Sequence, residues 1–376
     1  VLKRRSPGMA GFPFMRQAEA FRSSLPFILL LAVFILPCPM SAAAKPRPAI
    51  AFVHLLLPPG GEPHASPTGW IGSLDRARDT LESLRIPTIV SSASPGNAED
   101  LNELSEMDPE VLITTSPLLY AAACDVAKRS PNTVFFACTD ETVHDNMSGF
   151  QARTYEAHYL AGLIAGALSE DGVIGYLAND PYQSKASRLR NANAFTLGAQ
   201  KSKAAIRVLY APGNDPDEEL KTLIAAGADI VDLERALPSL VERLREHSVR
   251  YVGTAGRTVD PLCLAAPEWE WSNAFGDLLT QVRFGIWRPR NVSYGIKEGV
   301  VGLSPFGPAV PETVRVRVRE AKEAIRNGAS PFEGPVRDVS GSLRIAEGSV
   351  PDDATLRGMD WRVQGLEPLP LTPDGL

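Results

Sequence analysis

The chain has 376 residues, with 44 acids against 38 bases and a formal net charge of −6. Nucleic-acid binding needs clustered Lys and Arg to neutralise phosphates, so this acidic balance argues against a DNA- or RNA-binding regulator. The length exceeds what one hydrophobic core usually serves, and two lobes are expected.

Residues 1–44 stand apart. Lys3, Arg4, Arg5, Arg16 and Arg22 face a single acid, Glu19, and the apolar run from Leu25 to Leu36 leads to the small-residue exit Ser41-Ala42-Ala43-Ala44. Basic region, apolar core and A-x-A exit make a secretory signal peptide. The apolar run is shorter than the roughly 20 residues a membrane span needs. Cleavage after Ala44 to a soluble periplasmic form is expected; a lipid anchor at Cys38 is the alternative, and Pro37 suits it poorly. The remaining 332 residues carry a net charge of −10. They keep Cys124, Cys138 and Cys263. An oxidising compartment allows a Cys124–Cys138 bridge, but both fit equally as small buried apolar residues, and the odd count argues against a disulfide framework.

Strands and helices then alternate. Strands are predicted at 49–53, 87–90, 111–115 and 133–137, with helices at 70–84, 101–107 and 118–128 between them. A helix over 156–169, with Leu160, Leu163, Ile164, Ala167 and Leu168 on one face, precedes the short apolar strand Val173–Leu177. A further helix carries Leu189, Ala192, Phe195 and Leu197. Strands at 206–210, 230–233 and 250–253 follow, with helices at 215–226 and 238–246. The alternation implies βαβ crossovers and two doubly wound parallel sheets joined near 150–155. Ligands of such sheets bind beyond the carboxyl ends of the strands. No zinc spacing, P-loop or G-x-S-x-G elbow is present, and His54, His64, His144, His158 and His247 are scattered, so no enzyme chemistry, metal or cofactor is expected. His158 is two residues from Glu156 on a helix, so those side chains diverge.

Nine collinear segments carry a resemblance: TGWIGSLDRARDTLE (68–82), YEAHYLAGLIAGAL (155–168), IGYLAND (174–180), NAFTLGAQ (193–200), DPDEELKTLIAAGADIV (215–231), EWEW (268–271), YGIKEGVVGLSPFGPAVPE (294–312), PFEGPVRDVSG (331–341) and MDW (359–361). Together they resemble the basic membrane protein family of ABC-transporter substrate-binding proteins, which includes purine nucleoside receptors. The resemblance implies an α/β type I periplasmic binding fold with two lobes, a hinge of crossing strands and a ligand cleft. Residues 48–152 would form the first lobe, with about 264–290 returning to it; 153–263 and about 291–345 the second; 346–376 a tail. It further implies a monomer that closes on a purine or related heterocycle and docks on an ABC permease in the inner membrane.

The candidate ligand residues are Trp70, Thr115, Ser116, Tyr155, Glu156, Arg190, Asn193, Trp271 and Lys297. Trp70 stands where the family stacks an aromatic on a purine; the other use of such a Trp is to cap a core. Thr115 and Ser116 offer hydroxyls or cap the next helix. Tyr155 and Glu156 open the first helix of lobe two, where a carboxylate accepts ligand N–H bonds or simply stabilises the helix start. Arg190 and Asn193 reach from the following helix. Trp269 and Trp271 alternate, so in an extended segment they point the same way, one toward the cleft and one over the hinge. Lys297 matches the family's lysine near a ligand hydroxyl, or is an exposed loop cation. The chain departs from the family at Leu74, at Asp232-Leu233-Glu234-Arg235, and at Gly253-Thr254-Ala255-Gly256-Arg257, where relatives carry an acidic turn. An alternative function is a non-transport sensor on the same fold with altered purine recognition.

Overall fold

The computed structural model describes residues 47–56, 69–94, 97–139, 141, 144–180, 183–253 and 260–370. The signal-peptide reading of residues 1–44, with Cys38, and the turn at 254–257 lie outside the described residues.

In the first lobe the chain runs β1 (Ile50–Leu55), α1 (Gly69–Ser83), β2 (Thr88–Ala93), α2 (Glu99–Glu106), β3 (Val111–Thr114), a 3-10 turn at Pro117–Leu119, α3 (Tyr120–Ala127), β4 (Val134–Cys138) and β5 (Met147–Ala152). β1 is buried along its whole length, which its near-continuous apolar run IAFVHL requires of a strand covered on both faces. α1 buries Ile71, Leu74, Ala77 and Leu81 at helical spacing, so Leu74 is a core residue. The strands pair in parallel in the order β5-β4-β3-β1-β2.

The second lobe repeats the rhythm with α4 (Tyr155–Leu168), β6 (Val173–Leu177), α5 (Lys185–Ser202), β7 (Arg207–Ala211), α6 (Pro216–Ala225), β8 (Ile230–Leu233), α7 (Pro238–Glu246), β9 (Arg250–Gly253) and β10 (Cys263–Ala265). Its parallel order is β10-β9-β8-β6-β7. The helix starts follow local chemistry: Asp215 caps α6 by accepting from Glu218 N at 3.2 Å with Pro216 in the first turn, and Ser184 caps α5 through Ser187 N at 3.1 Å. α4 and α5 lie unusually close. A Cβ on Gly162, Gly166 or Gly198 would run into the backbone carbonyl of Phe195, Ala199 or Tyr159 respectively, so the glycines of YEAHYLAGLIAGAL and NAFTLGAQ set the helix spacing.

The rest of the chain stitches the lobes: β11 (Pro267–Trp269), α8 (Ser272–Arg283), β12 (Val292–Tyr294), β13 (Val301–Leu303), α9 (Glu312–Arg326), β14 (Val336–Arg337), β15 (Leu343–Ile345), α10 (Asp353–Arg357) and β16 (Leu366–Pro368). α8 returns to lobe one, where Arg283 Nη2 pairs with Glu110 at 2.7 Å. β12 extends the first sheet beside β5, and β16 extends the second beside β7. β11 and β13 pair antiparallel between the sheets. Among the described residues the chain therefore passes between the lobes three times: at 153–154, at 266–271 and at 295–300. This is the expected pair of doubly wound lobes on a hinge. Cys124, Cys138 and Cys263 form no disulfide; Cys138 is buried and the other two are half-buried, as small apolar residues would be.

Candidate functional site

Strand order reverses between β1 and β3 in the first sheet and between β6 and β8 in the second. Beyond the carboxyl ends of those strand pairs lie the crevices in which open α/β sheets hold ligands.

At the first crevice Trp70 projects from the first turn of α1, half-buried, with its indole Nε1 donating to Thr115 O at 2.8 Å. Trp269 and Trp271 meet its ring edge-on, at 5.9 and 5.3 Å between centroids. The pair does not form one extended segment, because β11 ends at Trp269 and Trp271 already has αR dihedrals as the N-cap of α8. Both rings still converge on Trp70. Trp271 is fully buried and stacks on Phe275 at 5.5 Å, and its Nε1 has no hydrogen-bond partner among the described residues. Thr115 is buried and its hydroxyl donates to Val53 O at 3.2 Å. Ser116 caps the 3-10 turn through Leu118 N at 3.3 Å. His54, which the sequence offers only as one of its scattered histidines, also belongs to this crevice. On β1 it is buried with Nδ1 3.3 Å from Thr115 Oγ1 and Nε2 3.3 Å from Asp75 Oδ1, and Asp75 pairs with Arg78 at 3.0 Å.

At the second crevice a group of buried polar side chains surrounds the ends of β6 and β8. His158 Nδ1 is 3.4 Å from Asp232 Oδ2, and Tyr176 Oη donates to Glu234 Oε1 at 2.8 Å. Glu234 Oε2 accepts from Asp180 N at 3.4 Å, while Asn179 exchanges hydrogen bonds of 2.8 and 2.9 Å with the backbone of Arg235. Burial pushes the Glu234 carboxyl up to about 7, against the pull of His158. Burial works most strongly against an imidazolium at His158, but Asp232, Glu234 and Asp180 together outweigh it and raise the imidazole above its ordinary value. The atypical Asp232 to Arg235 segment was visible in the sequence; its partners on α4 and β6 were not.

The other candidates lie between or behind these crevices. Glu156 is buried in the hinge, where it pairs with Arg153 Nε at 2.7 Å and accepts from Ile296 N at 2.6 Å. Burial raises its carboxyl, with Arg153 and the Ile296 amide opposing. Arg153 also donates to Ser293 O at 2.7 Å and pairs with Glu298 at 2.5 Å. Glu156 and His158 thus diverge to separate partners, as their helical spacing requires. Tyr155 is buried against Phe332, with the Arg190 guanidinium 5.6 Å from its ring centroid. Arg190 Nη1 donates to Leu356 O at 3.3 Å. Asn193 is buried and holds the 359–363 segment: Nδ2 donates to Trp361 O at 2.8 Å and Oδ1 accepts from Val363 N at 3.0 Å. Lys297 is exposed on the third crossing. The structure therefore brings Trp70, Thr115, Ser116 and Trp271 together, sets Tyr155, Arg190 and Asn193 behind lobe two with the C-terminal segment, and leaves Glu156 and Lys297 on the hinge. Among the described residues no helix is long and apolar enough to cross a membrane, and no cluster of His, Cys, Asp and Glu is arranged to hold a metal ion.

Residues 74–225 match the family model of PnrA-like ABC transporter substrate-binding proteins. A purine-binding protein of Brucella abortus is 28% identical over 344 residues, covering 87% of this chain and 95% of that protein. The "Putative ABC transporter glucose-binding protein TsgA13" of Haloferax volcanii is 28% identical over 307 residues, covering 75% and 78%. Among solved structures, an ABC transporter solute-binding protein from Conexibacter woesei superposes with a TM-score of 0.59 at 17% identity, covering 74% of this chain and 97% of that one. That likeness carries the fold, which is the type I periplasmic binding fold.

Proposed function

We propose that the chain is an ABC transporter substrate-binding protein of the PnrA-like type, whose family model its residues 74–225 match, and that it captures a purine base or nucleoside in the cleft between its two sheets. It does so in the periplasm, after export, performs no chemistry, and hands the solute to an ABC permease in the inner membrane. The observation that carries this reading is Trp70: a half-buried indole at the β1/β3 crevice, fixed by its bond to Thr115 O and braced edge-on by two further tryptophans. A ring held this rigidly loses little entropy on stacking against a planar base. The Brucella relative, named for purine binding, supports the same ligand class. A sugar is the second reading, favoured by the Haloferax relative of equal identity.

Thermal unfolding of the exported form with bases, nucleosides and glucose separates the two. A ligand in hundredfold excess over its dissociation constant adds about 2.7 kcal/mol to stability. A shift with adenine, guanine or their nucleosides is expected, and Trp70→Ala is expected to lose about 1–3 kcal/mol of binding. A shift with glucose alone would overturn the purine reading.

A further inference from the structure

At the amino ends of the first sheet's strands, away from both crevices, lies an exposed apolar group that the core does not use. Trp70 at the start of α1 meets Trp271 at the start of α8, and the two helices pack side by side. Both run to the same end of the lobe. After α1 the chain turns to Pro87, whose carbonyl accepts from Ile50 N at the start of β1 at 3.3 Å. In the last turn of α8, Arg283 pairs with Glu110, the residue before β3. Just past these two helix ends, Leu84, Phe284 and Ile286 are 66%, 76% and 64% exposed.

The turn after α8 is fixed by backbone bonds. Gly285 takes a φ of +66°, its amide donates to Val282 O at 3.0 Å, and Ile286 N donates to Gln281 O at 3.0 Å. This is a Schellman cap, in which the residue in the place of Ile286 commonly folds back on an apolar residue of the last turns. The residues it would meet are Thr280 and Gln281, both polar. Ile286 stays in solvent. Arg288 ties the turn further, donating to Gly285 O at 3.0 Å and to Trp287 O at 2.6 Å, while Trp287 is half-buried against the core.

Charge at this end runs against the rest of the molecule. Residues 45–376 carry a net charge of −10. Here Arg47 pairs with Asp108 and Arg283 with Glu110. Beyond those pairs Arg85, Arg288 and Arg290 are exposed. Of the nearby acids, Glu82 accepts from the Thr88 hydroxyl, and Glu106 ends α2, which packs on the sheet's other face. The chain also enters the fold here: Arg47 leads into β1 beside the turn that carries Leu84, so the sequence before it, with its apolar run from Leu25 to Leu36, joins the fold at this end.

We infer that Leu84, Phe284 and Ile286, rimmed by Arg85, Arg288 and Arg290, form a docking surface for an anionic lipid bilayer. Apolar tips of this kind enter the boundary between headgroups and acyl chains, where a tryptophan is also at home, and guanidinium groups bind the lipid phosphates. Seated this way, the outer end of lobe one rests on the membrane, and the crevice at the opposite ends of its strands faces away from the lipid. A second copy fits the surface less well, because a two-fold pairing would bring like-charged rims together. Nothing in the inference depends on which solute the cleft holds.

The test uses residues 45–376, which hold every described element of the fold. They are sedimented with vesicles of phosphatidylglycerol and phosphatidylethanolamine, and with vesicles of phosphatidylcholine alone. The wild type is expected to sediment with the anionic vesicles. Phe284→Ser combined with Ile286→Ser is expected to lower the partition coefficient about tenfold or more. Arg288→Gln combined with Arg290→Gln is expected to lower it roughly fivefold per arginine at low salt, and to flatten its salt dependence. All four positions are exposed, so urea midpoints are expected to stay at the wild-type value. Absence of wild-type binding, or wild-type binding by the apolar double variant, would overturn the inference. Should that variant fail to fold, the wild type decides: its tryptophan emission is expected to move to shorter wavelength on the vesicles as Trp287 leaves water, and an unchanged spectrum overturns the docking. Equal binding to phosphatidylcholine would overturn the part given to the arginines. A wild-type dimer in sedimentation velocity that the apolar double variant lacks would also overturn it, and would assign the surface to a second copy.

Discussion

At the residue scale, several buried polar side chains of this fold are committed to backbone from distant segments. Asn193 is the clearest case. It is fully buried, and its amide satisfies both the Trp361 carbonyl and the Val363 amide, two backbone groups of a segment that has little regular structure of its own. Removing the side chain leaves both groups without that partner, at about 1–3 kcal/mol. Asn193→Ala is therefore expected to lower the urea midpoint by that free energy with an unchanged slope, and a loss under about 0.5 kcal/mol would show that solvent takes over the two bonds. The same commitment explains why single residues were hard to read from the sequence. The place of Trp70 at the start of α1 was legible, because a helical pattern opens there. His54 was not, because its partners Thr115 and Asp75 come from β3 and α1 and no spacing announces them. Glu156 illustrates the opposite difficulty: its position at a helix start fits ligand binding and helix stabilisation equally, and the structure adds a third use, the hinge pair with Arg153.

At the element scale, the closely packed helices α4 and α5 carry the strongest sequence signature, and its content is steric. Gly162, Gly166 and Gly198 each sit where a side chain would meet the backbone of the facing helix. No rotamer change relieves a clash with a carbonyl oxygen, so the helices would have to move apart. Gly162→Val is expected to cost about 1–3 kcal/mol or more by overpacking. Gly172→Ala, with open space around its Cβ but a φ of +77°, is expected to cost only the backbone strain, about 1–2 kcal/mol. Chemical denaturation of the two variants checks the order, and a reversal would show that the helix pair is adaptable. Elements with such patterns were legible: β6, β8, α7 and β9 fall where periodicity places them. β5 was not, because MSGFQA has no apolar run although four of its residues are buried. Gly149 within it lies against Asn291 and the Thr139 carbonyl, a fit to distant chain that local pattern does not encode. α9 did carry a signal, with Val314 and Val318 one turn apart, and it passed unread behind a dense run of arginines.

At the scale of the whole molecule, the proposed capture turns on the three crossings between the lobes. The first and third are tied by one guanidinium: Arg153 binds Glu156 beside it, and Glu298 and the Ser293 carbonyl across the hinge. Gly295 lies so close that a Cβ there would collide with the Arg153 guanidinium. Glu298 Oε2 also receives Gly295 N at 2.7 Å, so this carboxylate holds the turn of the third crossing as well as the first. The second crossing joins them through the antiparallel β11 and β13. A hinge built this way is expected to rotate as one tied bundle, and the tie has unequal halves. Glu156 is deeply buried, so Arg153→Ala strands a carboxylate and is expected to cost about 3–5 kcal/mol of stability. Glu298 is a third exposed, so Glu298→Gln is expected to cost under about 1 kcal/mol. Its effect should instead fall on closure, because the turn at Gly295 loses a charged anchor while both sheets stay intact. Calorimetric titration with adenosine, beside urea unfolding, reads the two separately. The expected result for Glu298→Gln is near-normal stability with an affinity changed several-fold. Normal affinity in that variant would mean that closure pivots on the β11–β13 pair alone and that the Arg153 cluster is only a fixed staple of the fold.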